Sequence, residues 1–344
     1  MRDLFIMMCF MVMGSCNKFE KSDGAFQKQL AELYLKRDFS KLKDFVSNLD
    51  HPVSAELKHL AYRLVDYIDR FWKEYPSDVR LVKSSDPDFI ISKEECFHQS
   101  VFLSQKTDEH GAVEFFASSE ITSKAQYFEP QRLLQSDFVA LPDTVLPFVA
   151  ERAPHILFSD SIRHLADSLT NDGMKPFEMV RQFYYWMDAH IPWARAVEYG
   201  LMDSIPQYTL EKMHGDCGMQ TLLFMTLCRY KGIPARWQSG WMLHRGNVNL
   251  HDWCEVWYAG VGWVPVDVSF KLQNSNDPRV REFYVSGIDA YRFTVNNDFG
   301  QVFCPSKTWL RSEPLDFQRG EVEWEHGNLY FDAWTYKMGV TYLN

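Results

Sequence analysis

The sequence predicts a domain of mixed helices and antiparallel strands, and three stretches carry that prediction. Residues 219–230 are mostly apolar, the mark of a helix buried on all sides at the centre of a domain. Residues 250–258 and 263–268 are two β-rich runs separated by Ala259-Gly260-Val261-Gly262, which reads as a hairpin. Upstream, Leu57, Leu60, Ala61, Leu64, Val65, Ile68, Phe71 and Trp72 recur at helical spacing, as Phe26, Leu30, Leu33 and Tyr34 do before them, giving an N-terminal helical cap.

The ends of the central helix are written in its flanks. Gly215 permits a sharp turn before it, Arg229 and Lys231 suit its negative end, and Gly232 with Pro234 stops it. Cys217, within Gly215-Asp216-Cys217-Gly218, therefore falls in the first turn. Free backbone N–H groups and the positive dipole end are expected there to lower the thiol pKa and to hold a developing oxyanion.

The hairpin places two further polar residues. A three-residue loop, Ala259 to Val261, pairs Tyr258 with Gly262 and sets Asp267 opposite Trp253, diagonal to His251 on one face. A four-residue loop would shift the register by one and send Asp267 to the other face; the first register, or a bulge equivalent to it, is expected. Cys217, His251 and Asp267 are then the thiol, imidazole and carboxylate of a nucleophilic catalyst.

These residues, with Leu227-Cys228-Arg229, Gly232-Ile233-Pro234-Ala235-Arg236, His251-Asp252-Trp253-Cys254-Glu255-Val256-Trp257, Gly262-Trp263 and Val266-Asp267, resemble the transglutaminase-like core of the papain-like cysteine enzymes. The match is dense over roughly 60 residues and looser from about Lys175, where Phe183-Tyr184-Tyr185-Trp186 resembles the helix preceding that core. The resemblance implies an α+β fold, with Cys217 on a helix packed against an antiparallel sheet that carries His251 and Asp267. It implies acyl transfer through a thioester, with water or an amine as acceptor. For the oxyanion it implies a donor from the segment before the nucleophile, Trp193 or Gln207, beside the N–H of Cys217.

The other cysteines point away from metal or disulfide chemistry. Cys228 lies three turns beyond Cys217, about 16 Å along the helix. Cys254 is an odd strand offset from His251 and faces away from it. Cys96 and Cys304 have no partner nearby in sequence and would bridge only by accident of tertiary structure. No spacing fits a zinc site, and neither metal nor cofactor is expected.

The first residues address the chain. An apolar stretch from Leu4 to Met13 is short for a membrane span and suits a secretory signal. The small residues before Cys16 resemble a bacterial lipobox, so Cys16 is the expected lipidation site of a protein exported and anchored in the bacterial cell envelope. With Cys9 and Cys16 set aside, the odd number of remaining cysteines fits a free thiol in an exported protein. A net charge of −10 without any basic block argues against nucleic acid or anionic lipid as partner, leaving the lipid anchor as the membrane contact.

The 344 residues divide into a signal peptide at 1–16, a helical region at 17–75, a mixed region of unassigned role at 76–150, and the catalytic core with C-terminal strands at 151–344. Within the core, a helix is expected over 175–191, and strands at 283–285 and 291–295. A terminal hairpin is expected to run out through residues 321–325, turn at His326-Gly327-Asn328 and return through 329–331. Another strand-like run is residues 112–116, and residues 197–207 and 241–249 are expected to be cleft loops. The expected activity is cysteine-dependent hydrolysis of amide or peptide bonds in peptide or glycopeptide material. The alternatives are a crosslinking transglutaminase and an inactive binding module on the same fold.

Overall fold

The computed structural model describes residues 78–343 apart from 93–95, 197, 314 and 316–317, together with scattered positions between 25 and 62. The signal segment and Cys16 lie outside the described residues, as does most of the expected 57–72 helix. Helix α1, Phe39–Ser47, lies between the two N-terminal periodic runs.

Two strands, β1 (Asp78–Ser84) and β2 (Ala117–Thr122), pair antiparallel. Residues 112–116 are not a strand; Val113, Phe115 and Phe116 are exposed and the pairing begins at Ala117. An apolar run with no face to bury has nothing to hold it in a sheet.

The core is helical on one side and antiparallel sheet on the other. Helices α2 (Asp160–Leu169), α3 (Pro176–His190), α4 (Ile205–Lys212) and α5 (Cys217–Tyr230) lead into strands β3 (Ala235–His244), β4 (Asn247–Tyr258) and β5 (Gly262–Val266). Strand β6 (Arg292–Asn296) completes a sheet of order β6-β3-β4-β5. This is the expected α+β architecture, with α5 buried from Gly218 to Arg229.

Caps and turn residues explain the ends of α5. The Asp216 side chain accepts the N–H of Met219 at 3.0 Å, and Gly232 takes φ +74° just beyond the last turn. Leu222, Leu223, Phe224 and Leu227 join Trp237, Cys254, Val256, Tyr258 and Val264 in one apolar cluster. Burial of this kind contributes about 1.5–3 kcal/mol for each large side chain, so the cluster fixes the helix against the sheet.

The hairpin adopts the expected register: Tyr258 pairs with Gly262 and Cys254 with Val266. Gly260 in the loop and Gly262 at the start of β5 both take positive φ, a conformation that glycine adopts without steric cost.

Several local expectations are corrected. Residues 241–249 are no loop, since β3 and β4 pair from Ala235↔Val256 out to His244↔Asn247 around a tight turn with Gly246 at φ +78°. Phe283-Tyr284-Val285 is one 3₁₀ turn instead of a strand. All three side chains are buried, which a single turn achieves and an alternating strand at the rim of a sheet does not. The terminal hairpin, β7 (Val322–Trp324) with β8 (Gly327–Leu329), turns at Glu325-His326, one residue earlier than expected. Cys96 and Cys304, expected to stay apart, form a disulfide across 208 positions. His98 bridges to Asn296 beside it, so the tertiary fold supplies the proximity that spacing does not show.

Candidate active site

The imidazole half of the site is built by the hairpin. His251 stands on β4, and Asp267 follows the last residue of β5, opposite the odd-numbered face of β4. His251 Nε2 and Asp267 Oδ2 are 2.7 Å apart, with both side chains buried. With Asp267 ionised, Nε2 carries the shared proton and Nδ1 is left as the acceptor. The ring is stacked on Trp253 and meets Phe270 edge-on at 5.2 Å, so it has little freedom to turn.

Asp267 is itself anchored. Arg292 Nη2 donates to Oδ2 at 3.0 Å and Ser269 Oγ to Oδ1 at 2.9 Å. Burial pushes the Asp267 carboxyl up, but His251, Arg292 and Ser269 outweigh it and hold it below the ordinary aspartate range. Arg292 also meets Asp289 at 3.1 Å, and Asp289 binds His244 Nε2 at 3.0 Å and the Tyr284 hydroxyl at 2.8 Å. Arg292 thus lies between two fully buried carboxylates, with its guanidinium over the Phe270 ring at 4.5 Å.

The thiol half differs from expectation. Cys217 is the first residue of α5 and is partly exposed, but its Sγ donates to Asp252 Oδ2 at 3.2 Å. Among the described residues no hydrogen bond joins it to His251; burial raises the Asp216 carboxyl at the head of α5, and His251 is near enough to oppose that rise in part. Burial pushes the Cys217 thiol well above the ordinary range, and Asp252 and then Asp216 push it further. The backbone N–H of Asp252 opposes this and is outweighed. Burial first, and the two carboxylates after it, thus work against the thiolate that the helix start alone was expected to favour.

Asp252 reaches the sulfur because strands alternate. Cys254, Val256 and Tyr258 turn to the apolar cluster around α5, and Asp252 shares their parity, whereas His251 shares the parity of Trp253. Its carboxylate is further fixed by Gln318, whose Nε2 donates to Oδ1 at 2.7 Å and to the carbonyl of His251 at 2.8 Å. Gly218 makes room for it, since a Cβ there would lie 2.8 Å from Asp252 Oδ2 and would overlap the Tyr199 hydroxyl. That hydroxyl donates to Asp216 Oδ1 at 2.6 Å.

The two oxyanion candidates part company. The Gln207 amide is committed elsewhere, accepting from Ser159 and Ser161 and donating to Glu211, with α4 starting at Ile205 where a cleft loop was expected. Trp193 is 61% exposed, and its backbone bridges to Gly215, two residues before the nucleophile. No cluster of candidate metal ligands occurs among the described residues.

Asp252, Arg292, Asp289, His244, Gln318 and Tyr199 are neighbours of the candidate site that sequence reasoning missed. Strand parity with Cys254 and Val256 was the available signal for Asp252. The others reach the site only through the tertiary fold.

Comparison with known proteins agrees with this core. Residues 163–268 match the family model of the transglutaminase-like superfamily. Among solved structures, a proposed cysteine protease from Cytophaga hutchinsonii overlaps at 15% identity and a TM-score of 0.38, covering 64% of this chain and 72% of its own. The periplasmic domain of TgpA from Pseudomonas aeruginosa overlaps at 16% identity and a TM-score of 0.35, covering 58% of this chain and 72% of its own. No curated protein matches the sequence. The segment from 163 to 268, which holds the Cys217 helix and the His251 hairpin, thus matches the transglutaminase-like superfamily, and cysteine-dependent acyl transfer is the general chemistry that match supports.

Proposed function

We propose that this protein is a cysteine hydrolase that cleaves amide or peptide bonds in peptide or glycopeptide material through a thioester on Cys217. The observation that carries this reading is the buried His251–Asp267 pair at 2.7 Å, on the hairpin whose strand β4 packs against the helix that Cys217 heads. In the reaction, the sulfur leaves Asp252 for His251 Nδ1 and gives up its proton there. The thiolate attacks the carbonyl carbon, and the oxyanion is held by the Cys217 N–H, with Trp193 as the second donor. The leaving amine takes the proton from His251. Water then attacks the thioester, His251 accepts its proton, and the acid departs as the sulfur is released.

Partial exposure of Cys217, with Trp193 open to solvent nearby, favours water as the acceptor over an amine. The test is a peptide library containing glutamine, incubated with a labelled primary amine. Fragments or ammonia without label incorporation support hydrolysis; incorporated label makes the protein a transglutaminase. Cys217→Ala is expected to abolish turnover, by about 10⁴-fold or more. The thiol's bond to Asp252 is the one observation favouring an inactive binding module, and that reading requires Cys217→Ala to match the unaltered protein in every assay.

We also place the protein outside the cytoplasm, anchored through Cys16. A disulfide between Cys96 and Cys304 persists in oxidising compartments, which agrees with an exported chain. Loss of membrane association in Cys16→Ser, with retention by the unaltered protein, is the expected result.

A further inference from the structure

We propose that Asp252 is a restraint on the nucleophile, holding the Cys217 thiol protonated and turned from His251 until the sulfur is moved. The inference rests on the reading of Cys217 as the reacting group but concerns its resting state, which no substrate is needed to probe. Sγ and Oδ2 are 3.2 Å apart, and while Asp252 is ionised, and so only accepts hydrogen bonds, that contact requires the sulfur to keep its proton. The contact is built into the site. Gln318 holds the other carboxylate oxygen, the carbonyl of Gln318 is held in turn by Trp241 Nε1 at 2.9 Å, and Gly218 leaves the space that the carboxylate fills.

The groups that face the sulfur and bear or change charge are few. Asp252 comes from β4, Asp216 from the cap of α5, and the Tyr199 hydroxyl from the segment before α4, with His251 beside them. Two are carboxylates that oppose a thiolate, and the His251 imidazole supports one once it holds a proton. Activation is therefore a proton transfer: rotation takes Sγ off Asp252, its proton passes to His251 Nδ1, and a thiolate and imidazolium result while Asp252 stays ionised. Nothing is oxidised or reduced.

The decisive experiment is alkylation of Cys217 by iodoacetamide, followed by peptide mapping over about pH 5 to 10, a range that brackets thiol ionisation. Asp252→Asn preserves shape, offers its carbonyl to Gln318 and turns a donor towards the sulfur. Removing a unit charge at this range is expected to speed alkylation about tenfold or more at neutral pH and to move the midpoint of the rate profile to lower pH. Asp252→Ala is expected to shift the midpoint the same way. A purely structural loosening would raise the rate at every pH without moving the midpoint.

Unchanged midpoints, or slower reaction in both folded variants, overturn the proposal and make Asp252 an activator or a bystander. Should neither variant melt cooperatively, Gln318→Ala decides, since it releases the carboxylate from its anchor: a midpoint below the parent's supports the restraint and an unchanged one overturns it. A parent midpoint at or below the ordinary thiol value of about 8.5 overturns it as well. Failure of the hydrolase reading shows separately, as turnover retained by Cys217→Ala.

Discussion

Around His251 the polar groups oppose one another in charge; around Cys217 they repeat the same charge. Asp267 meets Arg292 and Ser269 as well as the imidazole, and Arg292 meets Asp289 in turn. Cys217 has carboxylates on both sides, Asp252 at its sulfur and Asp216 one residue before it. Compensation holds the imidazole half in place, whereas on the thiol side burial, and then the repeated charge, work against ionisation. On the proposed reading the base is preassembled, and Cys217 is the part that must change state.

The comparison breaks if the rigid half turns out to be dispensable. Asp267→Asn takes away the acceptor that selects the Nε2 proton and leaves Nδ1 the wrong tautomer, so the rate constant for acyl-enzyme formation should fall about 10³–10⁴-fold. An unimpaired variant would show that the pair is structural. Next in size is Arg292→Met, which leaves Asp267 and Asp289 buried without their cation. Unfolding by urea should show a loss of about 3–5 kcal/mol, and a stability within error of the parent would mean that the carboxylates find other partners.

Smaller effects sharpen the contrast. Gly218→Ala forces a methyl group between the Tyr199 hydroxyl and Asp252, costing about 1–3 kcal/mol of stability and displacing the carboxylate from the sulfur. Faster alkylation of Cys217 should accompany that loss. The smallest effect is on the pH dependence of stability. Asp267 titrates lower folded than unfolded, so its contribution is present above the unfolded value of about 3.9 and disappears as pH falls through the folded one. The urea midpoints of parent and Asp267→Asn should therefore converge below about pH 4, and parallel curves would contradict the anchoring by His251 and Arg292.

What the sequence disclosed follows from how local each cause is. The helix at 217–230 and the pairing of Tyr258 with Gly262 depend on adjacent residues, an apolar run with its caps and a short loop rich in glycine, and both were legible. Asp252 was legible in principle, through its parity with Cys254 and Val256, but reasoning from the helix dipole pointed to an ionised thiol. A dipole is a property of one element, whereas the carboxylate that opposes it arrives from another. Arg292 lies 25 positions from Asp267, and Cys96 lies 208 from Cys304, so no spacing rule connects them. The 3₁₀ turn at Phe283–Val285 was hidden because three consecutive apolar residues fit a buried strand and a buried turn alike.

The loop Ala259-Gly260-Val261 has a consequence for how this chain can change over generations. Exposed connections usually accept a gained or lost residue with little harm. Here one extra residue that shifted the register would turn Asp267 to the far side of the sheet, and Val264 and Val266 would leave the apolar cluster with it. Length at that position, more than side-chain identity, thus ties the His251–Asp267 pair to the packing of the sheet, so an inserted codon there is selected against on both counts.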